Sequence, residues 1–137
     1  MTLDIQTTDY SAIVAHCRAG LPNEACGLLA GTRTEEALRA EKVYLLTNTD
    51  ASREHFTIAP AEHLAAIKDM RTLGLVPLGN FHSHPESPAR MSAEDIRLAR
   101  DPNAVYAILS LAEETPVLKA FTVLGDEPAE LEIAMHN

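Results

Sequence analysis

The sequence has no tryptophan, three phenylalanines and three tyrosines, so aromatics make up only 4% of its 137 residues. That scarcity argues against a base-stacking platform for single-stranded nucleic acid. It also leaves Leu, Ile, Val and Ala to build the core. Basic residues are outnumbered, 11 Lys and Arg against 20 Asp and Glu, for a net charge of -9 with no basic run. Nucleic acid and anionic membrane surfaces both call for a basic footprint, so neither is an expected partner. The two cysteines, Cys17 and Cys26, are too few for a disulfide framework and read as small buried hydrophobes. No apolar run reaches the ~18 residues of a membrane span. Met1–Gln6 carries neither the basic nor the apolar region of a signal peptide, which makes a reducing cytoplasm the expectation.

What is present is the mix of an ordinary globular protein, 46% hydrophobic and 23% charged. The length suggests one domain over residues 1–137. Such a chain buries roughly two thirds of its unfolded surface and needs no structural metal to fold. Apolar periodicity predicts an edge strand or lead-in near Ile5–Thr8, then a helix to about Arg18 capped by Thr8 or Ser11. Its face would hold Ile13, Val14, Cys17 and Leu21. Strands are predicted at Glu24–Gly31 and Glu41–Thr49, with a polar hairpin loop over Thr32–Ala40 and a short strand at His55–Ile58. A helix starts at Pro60, presents Leu64, Ile67, Met70 and Leu73, and closes at Gly74. A strand from Gly74 leads into Phe81–His84, a helix covers Glu94–Arg100, and strands follow at Ala104–Ser110, Pro116–Leu124 and Ala129–Met135. The fold class this implies is α/β, a mixed β-sheet flanked by helices on both faces.

One stretch carries chemistry. His82-Ser83-His84 is followed by Pro85 to Met91, then Ser92, two residues and Asp95. On a strand, residues two apart share a face, so His82 and His84 project together while Phe81 and Ser83 point the other way. Asp95, in the first turn of the next helix, offers a carboxylate from another direction. Two imidazoles and one carboxylate make three ligands and leave a fourth position open, the pattern of a catalytic zinc. A hydrolytic site of this kind also needs a base that is not itself a ligand. Glu24, Glu86 and Glu94 all qualify on composition and spacing. Ser92-Ala93-Glu94-Asp95 also fits a capping-box variant, with Ser92 as N-cap and Asp95 at N3, so Asp95 would have to divide its oxygens between two tasks. His16, His55, His63 and His136 lack metal-like spacing and read as surface or structural.

Together these residues resemble the JAMM (MPN-plus) metalloprotease family. Its signature is an upstream glutamate, then His-Ser/Thr-His, seven residues, Ser, two residues and Asp, and His82 to Asp95 meets every position. Pro22-Asn23-Glu24-Ala25-Cys26-Gly27 looks like the family segment that carries the glutamate. The resemblance implies a cytidine-deaminase-like fold, one Zn2+ per chain held by His82, His84 and Asp95, and Glu24 as general base toward the metal-bound water. It further implies Ser92 as a donor to the tetrahedral intermediate. No Pro-Cys-x-x-Cys accompanies a His-x-Glu here, which disfavours deamination itself. The short chain looks most like the prokaryotic, Mec-like members. For those, the implied reaction is hydrolysis after the C-terminal Gly-Gly of a ubiquitin-like sulfur-carrier protein. The Gly-Gly tail would lie as a strand beside a sheet edge, walled by Thr47–Ser52 and Pro85–Met91. Two alternatives stand beside this one: a small-molecule zinc amidohydrolase, and a catalytically silent MPN-type interaction module.

Overall fold

The computed structural model describes Met1–Asn137. Seven strands and three helices run in the order β1 (Thr2–Gln6), α1 (Thr7–Gly20), β2 (Cys26–Arg33), β3 (Ala37–Leu46), α2 (Pro60–Leu73), β4 (Val76–His84), α3 (Ala93–Leu98), β5 (Val105–Ser110), β6 (Val117–Leu124) and β7 (Glu127–His136). The sheet is mixed, as the sequence predicts. β1 pairs in parallel with β3 and β7, β4 pairs in parallel with β5, and the remaining pairs are antiparallel. What the sequence does not predict is closure. The order β1-β3-β2-β4-β5-β6-β7 returns to β1, so the sheet forms a barrel. The expected edge strand near Ile5 is therefore the seam strand that closes it.

All seven strands and α1 supply one apolar cluster, including Leu3, Ile13, Cys17, Leu29, Leu38, Phe81, Leu109, Ala120 and Leu131. Alternation along β2 sends Leu29 into this cluster and Leu28 and Ala30 to the opposite face, where Ala66 and Met70 of α2 cover them. Helices do flank both faces of β2. The details of the helix faces differ from expectation. Ala66, Ile67 and Met70 pack inward on α2, whereas Leu64 and Leu73 are more than half exposed. On α1, Leu21 falls past the last turn and is exposed, and the N-cap is Gln6 with no side-chain bond rather than Thr8 or Ser11. The polar stretch read as a loop over Thr32–Ala40 is strand at Thr32 and Arg33, the end of β2, and again from Ala37 onward. Its buried Leu38 and Ala40 alternate with exposed Arg39 and Glu41. His55–Ile58 forms no strand and contributes only an isolated bridge between Asn48 and Ile58.

The pairing of β2 with β4 sets up the rest of the molecule. Cys26 lies opposite His82 and Gly27 opposite Phe81. Gly27 is held between the Tyr44 carbonyl and the Phe81 ring, so a side chain there would push β2 off its neighbours. β4 is bonded to β2 on one side and β5 on the other, so no substrate strand can add to it. A tail laid beside a strand would therefore have to use an element other than β4.

Candidate metal centre and active site

The site forms where β4 leaves the sheet. His82 and His84 are buried on one face of the strand, and Phe81 and Ser83 point into the interior, as period-2 alternation dictates. The antiparallel register carries on past Cys26. Ser83 N donates to the Ala25 carbonyl at 3.0 Å, and the Ser83 hydroxyl accepts from Ala25 N at 2.8 Å. One step further along, Glu24 comes opposite His84. Glu24, His82 and His84 are all buried and place ligand atoms within 4.8 Å of one another.

Asp95 completes the group from α3. Its Oδ1 is 3.2 Å from His82 Nε2, its Oδ2 is 3.1 Å from His84 Nε2, and the two imidazole Nε2 atoms are 3.2 Å apart. The capping box foreseen at Ser92 is present. Ser92 Oγ accepts from Asp95 N at 3.0 Å, and Asp95 Oδ2 accepts from Ser92 N at 2.9 Å. The conflict between capping and ligation resolves by division, since Oδ2 caps while Oδ1 is free of the cap. The intervening turn is fixed from beneath. His84 Nδ1 donates to the Pro88 carbonyl at 2.9 Å, Ser110 Oγ donates to the Ser87 carbonyl at 2.6 Å, and Ala89 packs on Ile108 and Phe121.

These groups fit a metal ion on geometry and on donor chemistry. A tetrahedral zinc with bonds of about 2.0–2.1 Å holds its ligand atoms about 3.3–3.4 Å apart, close to the separations seen. His84 spends its Nδ1 proton on Pro88, which leaves the Nε2 lone pair facing a second imidazole and a carboxylate. Three electron-rich atoms so close together call for a cation among them.

Protons compete for the same nitrogens. Burial tends to raise Asp95, but hydrogen bonds from His82 and His84 outweigh it and hold the carboxyl well below the usual carboxylate range. For His84, burial opposes the charge, and the Asp95 and Pro88 contacts overcome it to raise the ring. Burial pushes Glu24 up to about 7, with His84 pulling it down and Asp95 pushing it further up. A carboxyl poised there is suited to exchanging protons near neutral pH.

Several residues near the site had no signal in the sequence. Phe56 stacks on His82 with ring centroids 4.7 Å apart. Asn48 Nδ2 donates to the Glu24 carbonyl at 3.0 Å and to the His55 carbonyl at 2.9 Å, and Glu24 N donates to the Ser52 carbonyl at 2.7 Å. His55, at the mouth, lies 2.7 Å from Glu94. His16 is structural, with Nε2 shared between the Cys26 and Leu46 carbonyls at 3.1 and 3.0 Å. Glu86 and Glu94, the other base candidates, pair instead with Arg53 and His55 on the surface.

The family description "prokaryotic homologs of the JAB domain" matches residues 7–124. This chain belongs to that family. It is 35% identical over 108 residues to a CysO-cysteine peptidase of Mycobacterium tuberculosis, covering 79% of this chain and 73% of the relative. A desampylase of Haloferax volcanii is 32% identical over 138 residues, covering 97% of this chain and 96% of its own. Among solved structures, a protein of Desulfitobacterium hafniense is 50% identical with a TM-score of 0.90, covering 100% of this chain and 94% of that one. The JAB-domain fold, a mixed sheet with few helices, thus stands on sequence and structure together. No helix of this JAB-domain chain is long and apolar enough to cross a membrane.

Proposed function

We propose that this JAB-domain chain is a zinc-dependent peptidase that hydrolyses the bond after the C-terminal Gly-Gly of a small ubiquitin-like sulfur-carrier protein. His82, His84 and Asp95 hold the ion, Glu24 is the general base and Ser92 the oxyanion donor. The observation that carries this reading is the convergence of His82 Nε2, His84 Nε2 and the Asp95 carboxylate at 3.1–3.2 Å, with buried Glu24 beside them. The names of the relatives, a CysO-cysteine peptidase and a desampylase, support the substrate class.

Bound there, Zn2+ would supply Lewis acidity toward the scissile carbonyl and make water acidic near neutral pH. Glu24 takes the proton that the attacking water must lose and returns it to the departing amine, a service worth about 10²–10⁴-fold. Burial raises Glu24 above the ordinary carboxylate value, which strengthens it as a base. Ser92 Oγ accepts from Asp95 N, so its own hydroxyl proton is not used by the cap and is free for a developing oxyanion. Asp95 and Pro88 orient the His84 ring. The substrate tail runs between Thr47–Ser52 and Pro85–Met91 without joining the barrel. The cytidine-deaminase-like classification and a cytoplasmic site of action belong to this same reading.

The test incubates zinc-loaded protein with sulfur carriers bearing C-terminal extensions and reads intact masses. A single cut after Gly-Gly is expected. Rapid hydrolysis of short amino-acyl amides with carriers left intact would favour the amidohydrolase. Protein that takes up no zinc would favour the silent module.

A further inference from the structure

Two buried polar side-chain atoms in the molecule have no hydrogen-bond partner, Asn80 Oδ1 and His82 Nδ1. Unpaired buried polar atoms cost roughly 1–3 kcal/mol each and are uncommon in native proteins. These two are neighbours. Asn80 and His82 are two residues apart on β4, so they share a face of the strand. Both also line one cavity of ≈ 70 Å³, roofed by Phe56, Met91 and Tyr106. The other polar groups around that cavity are engaged. Tyr106 Oη accepts from Asp101 N at 3.2 Å, and the Asp95 oxygens face the two imidazoles and Ser92 N.

The chemistry of the pair is complementary. If Nε2 of His82 gives its lone pair to a cation, the ring proton must sit on Nδ1, and that nitrogen becomes a donor in need of an acceptor. His84 meets the same requirement with the Pro88 carbonyl. His82 has no carbonyl in that place. An unpaired acceptor of the right type lies on its own face in the Asn80 carboxamide, and the two share one cavity.

We propose that Asn80 is the positioning residue for His82, its Oδ1 accepting the Nδ1 proton and thereby fixing the tautomer and ring angle that present Nε2 to the metal. This rests on the metal-site reading above. Partners of this kind are typically worth roughly 10- to 100-fold in metal affinity. In chelator competition, Asn80→Leu, which keeps the side-chain volume without the acceptor, should bind zinc weaker by about that factor. Asn80→Asp, which keeps an acceptor oxygen, should stay within about a few-fold of the parent, well short of that loss. Equal affinity of Asn80→Leu and parent overturns the proposal, and so does an equal loss in both variants. A parent that binds no zinc overturns the metal-site reading instead. A second measurement needs no variant. In ring-nitrogen NMR of the zinc-loaded parent, the His82 Nδ1 proton should exchange slowly and show a through-space contact to the Asn80 side chain. A His82 ring protonated at Nε2, or one whose Nδ1 proton exchanges freely with water, overturns the assignment.

Discussion

The candidate site has two halves that are built differently. The ligand half, His82 to Asp95, is one contiguous strand, turn and helix. Its fixing bonds are short-range, with Pro88 holding His84 and Ser92 boxing Asp95, and a single bond from Ser110 pins the turn below. The base half is Glu24 alone, at the entry to β2. It is held by distant parts of the chain: Ser52 and Asn48 on the β3–α2 connection, and β4 through Ser83 and Ala25. The first half is a matter of spacing and the second of topology. The same division should separate binding from chemistry.

Substitution within each half tests that division at its largest effect. His84→Ala removes one of the three proposed ligands and should abolish both zinc retention after dialysis and cleavage. Glu24→Gln should keep one zinc per chain while cleavage falls by about 10²–10⁴-fold. Metal analysis beside a cleavage rate reads both, and loss of zinc from Glu24→Gln would collapse the two halves into one. The same variant carries a pH signature in chelated protein. The folded Glu24 carboxyl sits at about 7, above the ordinary value of 4.5, so the parent loses stability as pH rises through that window. Urea midpoints for Glu24→Gln should therefore exceed the parent's at pH 8 and converge with them at pH 4.

The division also explains what could be read in advance. His82, His84 and Asp95 share a spacing that a strand and a helix turn convert directly into geometry, and the Ser92 capping box lies in four consecutive residues. Glu24 has no fixed spacing to them, and only the family resemblance selected it over Glu86 and Glu94. Barrel closure was invisible because β1 pairs with β3 and β7 over separations that no local pattern encodes. The β3 onset was missed because polar Arg39 and Glu41 masked the alternation of Leu38 and Ala40. The α2 face was misassigned because Leu64 and Leu73 are apolar yet exposed, while the contact is made by the small Ala66. Phe56, Asn48 and Asn80 had no motif to announce them.

Ser83 joins the halves, since it lies between the two histidines yet its hydroxyl accepts from Ala25 N, the residue after Glu24. Ser83→Ala leaves that buried N–H unpaired and should cost about 1–3 kcal/mol in urea unfolding of the zinc-free protein. A loss below that range would mean the β2–β4 ladder holds Glu24 without it. Asn48 works one layer further out and only on the base half. It bonds the Glu24 and His55 carbonyls through Nδ2, and accepts from Asp50 N and Thr57 N through Oδ1. Asn48→Ala should cost on the order of 1 kcal/mol and slow cleavage several-fold with zinc affinity unchanged. Weakened zinc binding in that variant would show that the base half also supports the ligands.

The slightest link is His55 to Glu94, an exposed pair that ties the β3–α2 connection to α3 across the mouth. The hydrogen bond and charge of Glu94 raise His55 above its ordinary value. A histidine raised on folding stabilises the protein at pH values below its unfolded pKa of about 6.5, and that contribution fades as pH climbs through the raised folded value. An NMR titration of the zinc-loaded protein should place the His55 midpoint above its ordinary value, and Glu94→Gln should move it back toward that value. Salt should do the same in part, because the pair is open to solvent and screening acts over about 8 Å at physiological ionic strength. Cleavage by Glu94→Gln should stay within about two-fold of the parent, as an exposed pair contributes little. A His55 midpoint indifferent to Glu94→Gln would leave Ser83 as the tie between halves, and a large loss of cleavage would mean the mouth pair holds Glu24 in place.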